Sequence, residues 1–167
     1  TSLGLTGSAA IDGTGNVLAN RIEGNSGANR LSGMDGIDTL LGGAGDDTFF
    51  SGGADDTFDG GEGVDTVDFA KAAVAVNAKV NGKGVNDGHG KKDTYKNLEN
   101  LSGSQFNDIL TGNALTNIIL GREGNDTIVS NAGADTINGG DGDDEAQIDR
   151  SFIGAALSLD VLSVDTP

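Results

Sequence analysis

Written in rows of nine from Gly15, the chain returns an apolar residue to the same column in six consecutive rows: GNVLANRIE, GNSGANRLS, GMDGIDTLL, GGAGDDTFF, SGGADDTFD and GGEGVDTVD. The eighth column holds Ile22, Leu31, Leu40, Phe49, Phe58 and Val67. A second array starts at Gly103 and reads GSQFNDILT, GNALTNIIL, GREGNDTIV, SNAGADTIN and GGDGDDEAQ, with Leu110, Ile119, Ile128, Ile137 and Ala146 in that column. A nine-residue period fits neither an amphipathic helix nor a free-standing hairpin. With a single obligate apolar position, each unit cannot bury itself and must stack on its neighbours. The Gly-rich first half of a row suits a tight turn, because Gly reaches positive φ at little steric cost. The second half, rich in Thr and β-branched residues, suits a short strand. Two such units close one coil, and coils stack as parallel strands about 4.8 Å apart. Rows two apart therefore lie over one another.

In phase with the apolar column, the sixth column carries a short oxygen-bearing side chain in every row: Asn20, Asn29, Asp38, Asp47, Asp56 and Asp65, then Asp108, Asn117, Asp126, Asp135 and Asp144. The stacking rule pairs Asp38 with Asp56, Asp47 with Asp65, Asp108 with Asp126 and Asp126 with Asp144. It also gives three pairs containing an amide: Asn20 with Asp38, Asn29 with Asp47 and Asn117 with Asp135. Paired carboxylates beside the carbonyls of a Gly-rich turn make an oxygen-only donor set, which suits Ca²⁺ with its 6–8 oxygen ligands at about 2.3–2.6 Å. Mg²⁺ gives up its water too reluctantly for such a site. Zn²⁺ is poorer still, since His89 is the single His and Cys is absent.

Composition points the same way. Of 167 residues, 29 are Gly, 26 are Asp or Glu and 10 are Lys or Arg, for a formal charge of −16. Cations are favoured partners, and nucleic acid and anionic membranes are disfavoured ones. No apolar run approaches the roughly 20 residues that span a bilayer, and no HExxH, GxSxG or P-loop motif is present, so an enzyme is not expected. Low hydrophobicity with high net charge predicts a chain that stays disordered without metal.

The rows GGAGDDTFF and GGEGVDTVD fit GGxGxDxUx, U being apolar, in every defining column, and the chain thereby resembles the RTX (repeats-in-toxin) calcium-binding nonapeptide family. The resemblance covers the eleven rows, about 60% of the chain. It implies an all-β fold, a right-handed parallel β-roll, with about four to seven Ca²⁺ held between stacked turns. The implied ligands are the column-six residues named above and the backbone carbonyls of column-one glycines such as Gly33, Gly42, Gly60, Gly121 and Gly139. It further implies an extracellular module, secreted or at the cell surface, that folds on calcium after type I export as a segment of a larger chain. The alternatives are a calcium-dependent module for polyuronate glycans, similar to those of alginate epimerases, and an adhesin spacer.

The expected organisation is a degenerate coil over 1–14, a first array over 15–68, a non-repeat insert over 69–102, a second array over 103–147, and a cap or truncated second insert over 148–167. Column four, normally Gly, is Leu18, Phe106 and Leu115 in the opening rows of the arrays, which predicts metal-poor coils there. The frame GNxLxNxIx recurs at Gly15 and Gly112, so a unit of roughly 97 residues repeats, as in a slice of a longer tandem protein. In the insert, Val74, Val76 and Val80 suggest a strand, and Leu98 and Leu101 lead back to the roll. Lys71, Lys79, Lys83, Lys91, Lys92 and Lys96 read as a solvated edge, with Lys83, Lys91 and Lys92 as the alternative contact for an acidic glycan. The column-five acids Asp46, Asp55 and Asp143 are expected to point outward.

Overall fold

The computed structural model describes residues 1–84 and 86–148 and the backbone of 161–165. The described residues contain no helix; they form a stack of parallel strands in three sheets. Numbering strands in chain order, the first sheet runs β1 (Ser2–Gly4), β3 (Arg21–Glu23), β5 (Thr39–Ala44), β7 (Thr57–Glu62), β11 (Thr94–Lys96) and β10 (Gly82–Lys83). The second runs β18 (Val161–Asp165), β16 (Thr136–Asp141), β14 (Ile118–Glu123), β12 (Asn100–Ser102), β8 (Thr66–Asp68), β6 (Thr48–Phe50), β4 (Arg30–Ser32) and β2 (Gly13–Thr14). The third runs β17 (Glu145–Ile148), β15 (Thr127–Asn131), β13 (Ile109–Thr111) and β9 (Asn77–Lys79). The expected segment over 148–167 lies outside the described residues apart from the backbone of Ile148 and of β18.

Register follows from the sequence period. Ile22 sits against Leu40, Leu31 against Phe49, Leu40 against Phe58, and Ile119 against Ile137, each pair 18 residues and hence two rows apart. The eighth column is the core: Ile22, Leu31, Leu40, Phe49, Phe58, Val67, Leu110, Ile119, Ile128 and Ile137 are all buried, with Ala146 partly so. The seventh-column threonines alternate with them and lie on the outside of the strands, as period-2 side chains must. Residues 1–14 supply a starting coil, Leu3 opposing Ile22 and Gly13 opposing Leu31.

The segment between the arrays does not interrupt the stack. The second sheet passes through it, since Leu101 of β12 pairs with Val67 on one side and Ile119 on the other. The first sheet ends there: β11 stacks on β7 with Tyr95 over Phe58, and β10 closes the edge in the antiparallel sense. The third sheet begins there with β9. The two arrays therefore share one sheet and use different opposite walls. Aromatic packing holds the changeover, Tyr95 stacking on Phe58 at 5.7 Å with 8° between ring planes and meeting Phe69 edge-on at 6.2 Å.

This segment, read from sequence as free of nonapeptides, contains the second halves of two. Lys92, Asp93, Thr94, Tyr95 and Lys96 occupy columns five to nine of one coil, and Glu99, Asn100, Leu101 and Ser102 columns six to nine of the next. Val76 and Val80 flank β9 and are buried, whereas Val74 is exposed. Leu98 and Leu101 are fully buried.

Candidate metal centre

The sixth column lies at the entry to each strand, where the turn ends. Asn20, Asn29, Asp38, Asp47, Asp56, Asp65, Asp108, Asn117, Asp126 and Asp135 are all buried, and Asp144, in the last described coil, is half-buried. Every pair expected from two-row stacking is brought together by the same hydrogen bond, the column-six N–H of one coil donating to the column-six Oδ1 of the next. It joins Asn20 to Asp38 (2.7 Å), Asp38 to Asp56 (2.8 Å), Asn29 to Asp47 (2.7 Å) and Asp47 to Asp65 (2.8 Å). In the second array it joins Asp108 to Asp126 (2.8 Å), Asp126 to Asp144 (2.9 Å) and Asn117 to Asp135 (2.9 Å).

The ladders also collect two residues that the sequence reading left out. Asp56 N–H donates to Asp93 Oδ1 and Asp65 N–H to Glu99 Oε2, both at 2.8 Å. The signal for Asp93 is the frame GHGKKDTYK, with Gly88, Asp93, Thr94 and Tyr95 in columns one, six, seven and eight. It lies out of phase with both arrays, so the column argument passes over it. Glu99 has a weaker signal still, the alternation of Glu99, Leu101 and Gly103.

The remaining carboxylate oxygens divide into two groups. Oδ2 of Asp38, Asp47, Asp65, Asp126 and Asp144 is buried without a hydrogen-bond partner. Each faces the α-carbon of the column-one glycine in its own row, Gly33, Gly42, Gly60, Gly121 and Gly139 respectively, so closely that a Cβ there would collide with it. At Gly42 and Gly121 the carbonyl oxygens of Gly60 and Gly139, one coil on, crowd the same point. The Oδ2 atoms thus sit in Gly-lined cradles beside main-chain oxygen. By contrast, Asp108 is satisfied by Ser104, whose N–H reaches Oδ2 (2.5 Å) and whose hydroxyl reaches Oδ1 (2.7 Å). Asp56 also accepts the Gly52 N–H.

The amides are satisfied in another way. Asn117 Oδ1 accepts the Asn113 N–H (2.8 Å), while Nδ2 donates to the Glu99 carbonyl of the coil below (2.7 Å). Asn29 repeats this with Asn25 N–H (2.8 Å) and the Ile11 carbonyl (2.9 Å), and Asn20 with Asn16 N–H (2.7 Å) and Thr1 Oγ1 (2.6 Å). The non-Gly column-four residues are carried by side-chain-capped turns. Leu18 N–H donates to Asn16 Oδ1, Leu115 N–H to Asn113 Oδ1 and Phe106 N–H to Ser104 Oγ, which removes the need for positive φ there.

Burial without a cation pushes these acids up. Asp56, Asp65 and Asp93 rise to about 7 and Asp126 to about 6, desolvation being the largest cause in each and neighbouring carboxylates adding to it. Asp38 and Asp47 are raised for the same first reason. Among the described residues the ion pairs are Arg21–Glu23, Lys96–Asp59 and Arg122–Asp68, none of which involves a column-six acid. No group of three or more metal-ligating His, Cys, Asp or Glu side chains occurs among the described residues. An ion here would be held by few carboxylates and much main-chain oxygen. That donor set fits Ca²⁺.

The column-five acids Asp46, Asp55 and Asp143 are exposed. Asp46 Oδ1 accepts the Val64 N–H (2.9 Å) and Asp55 Oδ1 the Lys92 N–H (3.1 Å), outer staples between coils. Of the lysines, Lys96 pairs with Asp59 (2.8 Å), Lys71 lies over the Phe50 ring, and Lys83, Lys91 and Lys92 are exposed.

Comparison with known protein families agrees with this geometry. Residues 14–36, 32–67 and 111–146 match the RTX calcium-binding nonapeptide repeat (4 copies), which together is just over half of the chain. No curated protein matches the chain. A parallel β-solenoid whose turns repeat in nines, with an Asp or Asn at the end of each turn and matched by the family's repeat over most of both arrays, makes this chain a member of the RTX calcium-binding nonapeptide repeat family.

Proposed function

We propose that this calcium-binding repeat module uses Ca²⁺ to complete its own fold, and that it does so outside the cell as part of a larger secreted chain. The observation that carries this is the buried Oδ2 without a partner at Asp38, Asp47, Asp65, Asp126 and Asp144, each in a Gly-lined cradle. A buried anionic oxygen with no donor and no counter-charge costs several kcal/mol, and either protonation or a cation relieves it. At neutral pH a divalent ion is the better answer, and the turn carbonyls complete its shell.

In this reading Ca²⁺ sits between stacked turns. Asp38, Asp47, Asp65, Asp126 and Asp144 are the principal ligands, Asp56 and Asp135 contribute from the paired coils, Asp108 is held by Ser104 instead, and carbonyls of the Gly33, Gly42, Gly60, Gly121 and Gly139 turns fill the shell. Asn20, Asn29 and Asn117 ligate no ion, because their amides are already spent on hydrogen bonds. The folding free energy is then largely binding free energy. Such a chain is extended where calcium is scarce and folded where it is abundant, which suits export followed by folding.

Circular dichroism of the chain with Ca²⁺ and with chelator tests the reading. Extracellular calcium modules bind at about 10⁻⁴–10⁻³ M, so the β signal should appear cooperatively in that range. A β signal of equal size in chelator would overturn it.

A further inference from the structure

Outside both arrays, Asp87 has the same unmet requirement. It is buried at 1% relative exposure. Its Oδ1 accepts the N–H groups of His89 (2.8 Å) and Lys91 (2.9 Å), and its Oδ2 is buried with no hydrogen-bond partner. The loop that carries it is fixed rather than free. Asn86 Nδ2 donates to the Ala75 carbonyl (2.9 Å), and Gly88, at φ +84°, rests so closely on Ala72 that a Cβ would meet its methyl group.

The neighbouring acid is Asp93, which is fully buried. Its Oδ1 is tied to the Asp56 N–H, and its Oδ2 accepts the Ser51 hydroxyl (2.8 Å) and, at 3.4 Å, that of Tyr95. Burial pushes Asp93 up to about 7, and the nearby charges of Asp87 and Asp56 add to the rise. No ion pair among the described residues reaches either acid, and the nearby Lys91 and Lys92 are exposed. Two buried carboxylates therefore share this segment with hydrogen bonds but no cationic side chain to offset them, and one has an oxygen to spare.

We propose that the segment between the arrays holds a divalent-cation site of its own, of calcium type, with Asp87 and Asp93 as its anionic ligands. The proposal rests on the reading that buried carboxylates of this chain take Ca²⁺, and it extends that reading to residues outside both family-matched regions. Oxygen-only donors, two charges and loop carbonyls again select a hard cation with a loose shell. The position gives the ion a task. Asp93 ends the carboxylate ladder of the first sheet, and Asp87 lies in the loop that leads from β9 and β10 to β11. One ion there would lock the changeover from the first sheet to the third.

The chain supplies its own reporter, for it has a single Tyr and no Trp. Terbium emission excited through Tyr95 falls steeply with distance, so Tb³⁺ substituted into the calcium-loaded full chain reports mainly the ion beside Asp93. The wild type should show sensitised emission that Tyr95→Phe abolishes. Asp87→Asn should lose most of that emission and one ion by native mass spectrometry, whereas Asp126→Ala should lose ions from the second array and keep the emission. Should Asp87→Asn fail to fold, Asp87→Glu keeps the charge and moves it, and the emission should then titrate at a roughly tenfold higher Tb³⁺ concentration.

A folded, ion-loaded wild type without sensitised emission would overturn the proposal. So would Asp87→Asn with emission and ion count unchanged, or an unaltered titration in Asp87→Glu. Each of these leaves the array sites standing. A wild type that takes up no ion anywhere would instead sink the reading beneath.

Discussion

Asn117 and Asp126 stand in the same column of consecutive rows, at the end of the same kind of turn, and differ chemically by an amide nitrogen in place of an oxygen. At Asn117 that nitrogen donates to the Glu99 carbonyl of the coil below, and the oxygen accepts from its own turn at Asn113. At Asp126 one oxygen accepts from the coil below, the Asp108 N–H, and the other meets no donor. The amide carries both a donor and an acceptor, so its level closes by hydrogen bonding alone. The carboxylate can only accept, and a stack of backbone turns has no spare donor to offer it. The difference teaches which levels need a further partner: the Asp levels keep a carboxylate oxygen unmet, whereas the Asn levels at Asn20, Asn29 and Asn117 close by hydrogen bonding, so the proposed calcium dependence belongs to the former.

The comparison is broken most directly by removing the ion. Chelation should abolish most of the β signal, with the Asp levels opening because repulsion between stacked carboxylates exceeds what the thin apolar column can offset. Hydrogen exchange in chelator checks the division. Any residual protection should lie in the strands following Asn20, Asn29 and Asn117, and protection concentrated after Asp47 or Asp126 would contradict it.

Acid offers a second route to the same end. Asp56, Asp65 and Asp93 sit at about 7 and Asp126 at about 6 in the metal-free fold, above the ordinary carboxylate value of 3.8. A group whose pKa is higher folded than unfolded holds its proton more tightly in the folded state. Its contribution is therefore complete below about 4 and is lost as pH rises through 6 to 7. The metal-free chain should gain β structure on acidification from pH 7.5 to 5, while its calcium affinity falls because protons compete for the same oxygens. Far-ultraviolet dichroism in chelator and calcium titrations across that range check both halves. A metal-free chain equally unfolded at pH 5 and 7.5 would show that burial of these acids is not the obstacle.

Exchanging the two side chains is the sharper, smaller test. Asp126→Asn should lower the number of bound ions and raise the calcium midpoint. Asn117→Asp should do the reverse of closing the level: it forfeits the bond to the Glu99 carbonyl and buries a new carboxylate oxygen, at about 1–3 kcal/mol in the absence of metal. Native mass spectrometry and chelator-dependent melting follow the two variants. Calcium stoichiometry unaffected by Asp126→Asn would remove that carboxylate from the ligand set.

Much of this was legible in the chain, and the reasons are specific. A column survives as long as its spacing does, so the eighth-column core and the two-row register could be read directly, and with them each stacked pair from Asn20 with Asp38 to Asp126 with Asp144. Asp93 and Glu99 escaped because their partners in the ladder, Asp56 and Asp65, lie 37 and 34 residues back instead of 18. No spacing rule says that a chain leaving β8 will open a third sheet before completing the first. The amide levels were half visible. Leu18 and Leu115 in column four marked their turns as unusual, but the direction of Asn117 Nδ2 follows from which carbonyl the coil below presents, and that is a matter of three dimensions.

The smallest effect expected separates two acids that are neighbours in sequence. Asp47 is buried with Oδ2 unpartnered, whereas Asp46 is exposed and spends Oδ1 on the Val64 N–H at 2.9 Å. The second bond is an outer staple between coils, open to water, which can replace the lost acceptor at the surface. Asp46→Ala should therefore cost about 0.5–1 kcal/mol of the calcium-loaded stability and leave the number of bound ions unchanged. Asp47→Ala deletes a proposed ligand from a cradle that also holds the Gly60 carbonyl, and should shift the calcium midpoint as well as the melting temperature. Differential scanning calorimetry at saturating and limiting calcium distinguishes the two, since a lost staple lowers both melts alike and a lost ligand narrows the gap between them. If Asp46→Ala narrowed that gap as far as Asp47→Ala does, the burial of column six would not be what selects the ion.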